Sequence, residues 1–246
     1  MKKLLALLLA LVFVFSIASC GKDETPFELY QKATKAITEA NGFECIMKTT
    51  SKYTMGEETQ STDVTYNVKQ NGNDLALSVS GAEYIDFDSV IYKDGILYIS
   101  AGNSKIKMEM NLEEFQDEIS DIIPDLDEAV ELPALTADDL KDVQFTEKDG
   151  VRSFTVNLNK DQLTALFDDM VAELTETSLF DAKLTMSFDK KGNLKAFEIA
   201  LSMGMEMMGY EMEYEVAISM EFINLGKAPT INAPADAGDY SDAVED

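Results

Sequence analysis

The chain has 246 residues, with 46 Asp and Glu against 20 Lys and Arg, no His, and a formal net charge of −26. This balance excludes nucleic acid as a default partner, because phosphate binding requires a basic surface. The lack of His excludes catalytic triads and zinc sites that depend on an imidazole. The acidity is interpreted as a solvated surface rather than as a specific cation-binding device.

The N-terminus has the pattern of a bacterial lipoprotein signal. Two lysines precede a short apolar run, and Ile17-Ala18-Ser19 lead to Cys20. Such a run is too short to cross a bilayer and stay there. We expect residues 1–19 to be a removed signal peptide, Cys20 to carry the lipid, and residues 20–25 to contain the tether. Removal takes the net charge to −28, and we expect the acidic body to be repelled by anionic lipid while the anchor holds it on the extracytoplasmic face of the cell membrane.

A helix followed by a meander of hairpins is predicted for the first half of the mature chain. Thr25 is placed to cap a helix that starts at Pro26, and Glu28 is placed to close a capping box. Asn41-Gly42 ends this helix, after which the hydrophobic period changes to two. Strands are predicted near residues 43–55, 61–70, 73–80, 84–93 and 96–110, with turns at Asn71-Gly72, Asp94-Gly95 and Gly102-Asn103.

Helical segments interrupt the strands in the middle of the chain. One is predicted from Asn111 to about Ile123, and a short piece starts near Thr136. A hairpin of strands 143–146 and 152–158 about Asp149-Gly150 then leads to a helix capped by Asn159. That helix has one apolar stripe, expected to be buried on the sheet, which consists of Leu163, Leu166, Phe167, Met170, Val171 and Leu174.

Long strands are predicted near the C-terminus, at residues 181–189, 194–205 and 209–223. In the last of these, tyrosine, methionine and aliphatic residues alternate with glutamates. Fourteen residues extend about 45 Å, which favours a large, twisted antiparallel sheet over a compact sandwich. Residues 227–246 are expected to form an acidic, surface-running or frayed C-terminal tail.

The order of these elements resembles that of a known superfamily. The segments that carry the resemblance are Tyr30–Ile37, Ile91–Tyr98, Phe188–Leu194 and Glu221–Gly226. They are similar in pattern to the LolA-like and LppX-like superfamily of bacterial envelope lipoproteins. The resemblance implies an α+β fold: a large curled antiparallel sheet, an unclosed half-barrel of roughly 10–11 strands, with helices covering the concave face. Residues 26–226 are expected to form this single domain.

The resemblance also implies a function. Members of the superfamily carry lipid or lipoprotein in an apolar cavity, and they have no catalytic residues to transfer to this chain. Soluble periplasmic carriers shuttle, whereas a tethered chain is expected to bind locally at the membrane. The candidate cavity residues are Met186, Phe197, Ile199, Met203, Tyr210, Met212, Tyr214, Val216, Ile218, Met220, Leu163, Phe167 and Met170.

The methionines allow more than one interpretation. Seven of the thirteen lie between residues 186 and 220. They are suited to line a cavity for flexible acyl chains, and equally suited to fill an ordinary core between sheet and helices. A thioether metal site at Met205, Met207 and Met208 is disfavoured because no His or Cys joins them.

Other reactive groups in the sequence have structural explanations. Cys45 shares an alternating face with Phe43 and Met47, so it is interpreted as a small buried hydrophobe rather than a reactive thiol. Acid pairs such as Asp138-Asp139 and Asp168-Asp169 follow from an acidic composition. The acidic stretch of Asp121, Asp125, Asp127 and Glu128 lacks the glycine and the spacing of a calcium loop. No metal site and no cofactor are predicted.

The preferred hypothesis is a membrane-anchored extracytoplasmic lipoprotein that binds a hydrophobic or lipidic ligand, without catalysis. Its predicted partners are that ligand and, through the lipid, the membrane. The alternative is a non-catalytic structural or protein-interaction module of the cell envelope with a filled core. A carboxylate-dependent hydrolase is a distant third. The first two differ in whether the inward residues leave a void or fill it.

Overall fold

The computed structural model describes residues 24–56, 58–81, 87–115, 132–164, 179–207 and 210–243. The helices are α1 (Pro26–Thr38), α2 (Ala137–Leu140) and α3 (Lys160–Thr164), and residues 112–115 are also helical. The strands are β1 (Gly42–Met55), β2 (Glu58–Asn71), β3 (Asp74–Ser80), β4 (Ser89–Lys93), β5 (Ile96–Ala101), β6 (Ser104–Glu109), β7 (Thr146–Lys148), β8 (Val151–Asn157), β9 (Leu179–Phe188), β10 (Leu194–Met207), β11 (Tyr210–Leu225) and β12 (Ser241–Asp242).

These twelve strands form one sheet in the order β12-β6-β5-β4-β3-β2-β1-β11-β10-β9-β8-β7. Neighbours are antiparallel except for β12, which runs parallel to β6. The outermost strands β12 and β7 are not paired with each other, so the sheet is unclosed. The predicted α+β half-barrel is therefore confirmed. The sheet exceeds the expected 10–11 strands because the C-terminal segment adds β12.

The long central strands give the sheet two different faces. β1 pairs with β11 and β2 along its whole length, with a bulge at Glu44/Cys45. Its alternate residues Phe43, Cys45 and Met47 are buried on the inner face. We call the end of the sheet that carries the β2–β3, β4–β5, β7–β8 and β9–β10 turns the lower end. The opposite end, with the β1–β2 and β10–β11 turns, is the upper end.

Helix α1 packs against the inner face and is capped as predicted. The Glu28 amide donates to Thr25 Oγ1 at 3.2 Å, and the Thr25 amide donates to Glu28 Oε2 at 2.8 Å. Leu29, Tyr30 and Ala33 are buried in the same core as the sheet residues. The helical turn at 112–115 joins this core, since the Phe115 ring stacks on Tyr92 with 4.3 Å between centroids. The predicted cap at Asn159 is also present, because its Oδ1 accepts from the Gln162 amide at 3.0 Å.

Two strand predictions are wrong in their bounds. β7 occupies Thr146–Lys148 rather than 143–146. The Lys148↔Val151 pair keeps this strand in register up to the two-residue turn at Asp149-Gly150. Val143 and Phe145 have a strand-like alternation, but their side chains pack on the core from the connection before β7. β4 begins at Ser89, so residues 87 and 88 of the predicted strand 84–93 are not part of it, and residues 84–86 lie outside the described residues.

The C-terminal segment crosses the outer face of the sheet. Asn71 Nδ2 donates to the Pro229 carbonyl at 3.0 Å near the lower end. Later in the segment, the Tyr240 ring packs edge to face on Tyr98, with 5.4 Å between the ring centroids. Lys105 pairs with Asp236 beside this contact. The segment predicted as a tail is therefore attached to the sheet from Pro229 to Asp242 and includes strand β12, which pairs with β6.

The Tyr30 hydroxyl is expected to stabilise the attachment of α1. It donates to the Pro133 carbonyl at 2.6 Å and accepts from the Leu135 amide at 3.2 Å, both buried. Tyr30→Phe leaves both backbone groups without this partner and should lower the free energy of unfolding by about 1–3 kcal/mol in urea denaturation.

The matched control is Tyr53→Phe, because the hydrogen bond that the Tyr53 hydroxyl donates to Met55 Sδ at 3.3 Å is exposed. That variant should lose less than about 0.5 kcal/mol. Equal losses in the two variants would contradict the role assigned to Tyr30.

Candidate hydrophobic-ligand face

The lower half of the inner face is a filled core. Side chains from both halves of the sheet meet there with α1, and they are almost completely buried. Members of this core are Leu29, Phe43, Cys45, Met47, Val68, Phe154, Met186, Phe188, Leu194, Phe197, Met220 and Phe222. Several of the aromatic rings are in contact. Phe222, for example, packs edge to face on Phe43, with 6.2 Å between the ring centroids. Close packing of this kind leaves little room for a ligand.

The upper half of the inner face is less buried. On β11 the residues Met212, Tyr214, Val216 and Ile218 are half-buried, while Glu213 and Glu215 between them are exposed on the outer face. The opposite residues of β1 are Thr49, Ser51 and Tyr53, which pair with Ile218, Val216 and Tyr214 respectively. We call these seven inward residues of β1 and β11 the upper inner face. It combines apolar surface with the four hydroxyl groups of Thr49, Ser51, Tyr53 and Tyr214.

Strand β10 forms the other border of the upper inner face. Ile199, Leu201 and Met203 pair with Ile218, Val216 and Tyr214, and all three are buried. At this level the inward residues are therefore buried on β10 and half-buried on both β11 and β1. Met55, at the upper end of β1, is 39% exposed. The half-buried surface is thus bordered by packed residues on the β10 side.

The structure brings nine of the predicted cavity residues onto one face. Met186, Phe197, Ile199, Met203 and Met220 are buried there, and Met212, Tyr214, Val216 and Ile218 are half-buried. Tyr210 begins β11 and Leu163 lies in α3, but their side chains are outside the described part of the structure. Phe167 and Met170 lie outside the described residues. The role of the set in ligand binding stays a prediction.

A groove on the outer face was not anticipated from the sequence. It has a volume of about 340 Å³ and a floor that includes the small residues Ala200, Ser202 and Ala217. Lys52, paired with Glu215 at 2.9 Å, stands on one side. Lys183, paired with Asp181, stands on the other. These small residues come from two different strands, so only the β10–β11 register could have revealed the groove.

A second groove lies at the lower end of the sheet. Its volume is about 550 Å³, and it lies between α1, the β9–β10 turn and the end of β11. Lys32, Lys195 and Lys227 line it together with Leu194 and Leu225. The sequence did not predict this groove, because its walls are far apart along the chain.

The ionisable groups near the core have structural roles. Burial, and to a lesser extent the charge of Glu44, raises the pKa of the Cys45 thiol to about 12. The thiol is 1% exposed, so the prediction that Cys45 is a small buried hydrophobe is confirmed. Hydrogen bonds from the hydroxyl and the amide of Thr136 hold the pKa of Asp139 below its usual value. Asp139 thereby closes the cap of α2.

The described residues contain neither a cluster of metal ligands nor a membrane-spanning helix. Among the residues that the structure describes, no three His, Cys, Asp or Glu side chains are close enough to hold a metal ion. No helix in those same ranges is long and apolar enough to span a membrane. The acidic residues Asp121, Asp125, Asp127 and Glu128, and the pair Asp168-Asp169, lie outside the described residues.

Comparison with known proteins gives structural similarities only. No protein-family model and no curated protein sequence matches the chain. A LolA superfamily protein from Nitrosomonas europaea aligns with 78% of this chain and 94% of its own, at 8% identity and a TM-score of 0.25. A DUF1329 family protein from Desulfovibrio piger aligns with 81% of this chain and 94% of its own, at 10% identity and a TM-score of 0.25. The ywiB protein of Bacillus subtilis aligns with 79% of this chain and 99% of its own, at 11% identity and a TM-score of 0.19.

The first of these structures belongs to the superfamily that the sequence pattern resembles. At these identities and TM-scores the similarities assign neither a family nor a function to this chain. The architecture rests instead on its own strand order and register. The candidate site rests on the burial of its inward side chains.

The contrast between the two halves of the inner face can be measured with two methionines of β11. Met220 is 2% exposed in the filled core, whereas Met212 is half-buried at the upper end of the same face. Met220→Ala should lower the free energy of unfolding by about 2–5 kcal/mol, because it leaves a cavity among packed neighbours. Met212→Ala should cost less than about 1 kcal/mol, since fewer contacts are lost. Similar losses in guanidinium denaturation would show that the upper half is packed as fully as the lower half.

Proposed function

We propose that this chain is a membrane-anchored extracytoplasmic lipoprotein that binds a hydrophobic or lipidic ligand on its upper inner face, without catalysis. The observation that carries the proposal is the continuation of the apolar alternation of β11 beyond the filled core. Met212, Tyr214, Val216 and Ile218 keep the inward orientation of Met220 and Phe222 but are only half-buried. A core alone does not require this extension.

The chemistry of the upper inner face suits an acyl chain. Ligand sites are mostly apolar with a few polar groups that fix orientation. Here the aliphatic and thioether groups of β11 lie beside Thr49, Ser51 and Tyr53 of β1 on the same face of the sheet. Methionine adapts to flexible apolar ligands. The stretch from Met212 to Ile218 extends about 20 Å, comparable to an extended long acyl chain.

The absence of catalysis is part of the proposal. Among the described residues, some acids have a lowered pKa because they accept local hydrogen bonds. Asp139, for example, accepts hydrogen bonds from Thr136 in the N-terminal cap of α2. Burial tends to raise the pKa of Asp189. Hydrogen bonds from Asn193 and from the Lys191 amide outweigh this effect, so the pKa of Asp189 lies below its usual value. These interactions shape the β9–β10 turn and leave the carboxylate ionised at neutral pH.

A non-catalytic envelope interaction module is the second candidate. The observation that favours it is the filled lower core, in which Met186, Phe188 and Leu184 are completely buried. A fold stabilised in this way can present its outer face to another protein without holding a ligand. The two candidates differ in what the upper inner face contacts in the purified protein.

Enlarging Val216 separates the two candidates. Val216→Phe should fill part of the ligand space, lower the lipid recovered by organic extraction and mass spectrometry, and leave stability nearly unchanged. The matched control is Val68→Phe, at a residue buried against Cys45 in the filled core. It should overpack the core and cost about 1–3 kcal/mol. If Val216→Phe also destabilises and bound lipid is unchanged, the ligand-binding proposal is rejected and the interaction module remains.

Anchoring at Cys20 can be tested in cells of a bacterium that processes lipoproteins. Cys20→Ala should abolish metabolic labelling with a fatty acid, because Cys20 is the residue that the signal presents. Cys45 is the only other cysteine of the chain and is buried, so Cys45→Ala should retain full labelling. Labelling of Cys20→Ala at the level of the wild-type chain would rule out this anchor.

A further inference from the structure

The beginning of the described chain is fixed to the lower end of the sheet. Arg152 donates to the carbonyl of Glu24 at 3.3 Å. The Glu24 carboxylate lies 3.5 Å from Lys32 Nζ, which in turn donates to the Lys191 carbonyl at 3.0 Å. Glu24 is four residues from Cys20, and four extended residues span at most about 14 Å. An anchor on Cys20 therefore keeps the lower end close to the bilayer.

This lower end carries a group of exposed lysines. Lys148 precedes the β7–β8 turn, Lys190 and Lys191 lie in the β9–β10 turn, and Lys195 follows it. The two turns are adjacent, since the Lys190 side chain lies against Gly150. We call these four residues the lysine rim. None of them forms an ion pair with another residue of the described ranges.

The acids of the same turns are Glu147, Asp149 and Asp189. Asp189 is engaged by its own turn, where its Oδ1 accepts from the amides of Lys191 and Asn193 at 2.7 and 2.9 Å. The lysine rim therefore outnumbers the acids beside it. This local balance is the reverse of that of the chain, in which acids exceed bases by 26.

The upper end carries exposed carboxylates. Glu58 at the start of β2 and Glu213 on β11 are exposed there, and Glu215 on β11 is paired with Lys52 at 2.9 Å. An anionic bilayer attracts lysines near its surface, by roughly a factor of five in affinity for each, and repels carboxylates. The separation of charge along the strands thus favours one orientation of an anchored molecule.

We propose that the lysine rim is a docking surface for anionic phospholipid head groups, and that it holds the anchored protein with its lower end on the bilayer and its upper end away from it. This inference rests on the proposed anchoring at Cys20. It differs from the expectation that the acidic body stands off the membrane as a whole. The groove between α1 and the β9–β10 turn opens beside the lysine rim, and its lining includes Lys32, Lys195 and Lys227 as well as the acids Glu39 and Asp189.

The test attaches the mature chain by chemistry rather than by the cell. Cys20 is coupled to a maleimide phospholipid in supported bilayers of phosphatidylcholine, with or without about a third of phosphatidylglycerol. Cys45 does not compete, because it is 1% exposed and its pKa is about 12. Neutron reflectometry then measures the gap between head groups and protein at low and high salt.

We expect no gap on the anionic bilayer at low salt, and a hydrated gap at high salt or on phosphatidylcholine alone. Lys190→Glu/Lys191→Glu should open the gap on the anionic bilayer. The control Lys48→Glu/Lys52→Glu makes the same change in net charge on the outer face of β1. It should leave no gap between the protein and the anionic bilayer at low salt. A gap that is the same on both bilayers, or that opens equally in both variants, would overturn the proposal. Because the attachment is chemical, this result is independent of whether cells lipidate Cys20.

Discussion

The pairing of β1 with β11 is the interaction on which the rest of the molecule depends. It runs from Phe43↔Leu225 to Met55↔Met212 and joins two meanders that are far apart in the chain. Without it each meander is a separate sheet with one uncovered apolar face. The pairing aligns the two inner faces, so that α1 can close both over one core. Closing so long a loop adds little entropy cost beyond that of a shorter one, because the cost grows only with the logarithm of length.

The filled core and the proposed ligand-binding surface lie at different levels of the same strands rather than in different domains. The lower half supplies buried aromatic and aliphatic packing, and the upper half supplies inward residues that are partly free of it. Regions with fewer buried contacts open at lower free energy than the core. A sheet organised in this way can admit a ligand at one end while the other end keeps the register.

The sequence predicted much of the fold because its signals are local. Period-two alternation identified the long strands, and the side chains of Thr25 and Asn159 identified two helix starts. The predicted bounds of β7 were wrong because Phe145 follows the alternation of a strand but lies in the connection before β7. Its ring packs there on Phe154, with 6.0 Å between the ring centroids. Tertiary packing decided that segment, and local pattern does not encode it.

The candidate site was predictable only in part. Alternation in β11 placed Met212 and Met220 on one face, but it could not show that one is half-buried and the other enclosed. That difference depends on which strands and helices cover each level of the sheet. The outer groove at Ala200 and Ala217 and the lysine rim were missed for the same reason. Both are formed by residues that meet only after the strands have paired.

The path of the C-terminal segment bears on how the molecule behaves among its own copies. Strand β6 would be an edge with free backbone groups, and its inward Ile106 is 37% exposed. The segment supplies β12 along this edge, with Tyr240 seated on Tyr98. Uncovered strand edges recruit other strands and lead to aggregation. The segment that contains β12 therefore covers part of the β6 edge, and a protease that removes it would expose that edge to pairing with a strand of another copy.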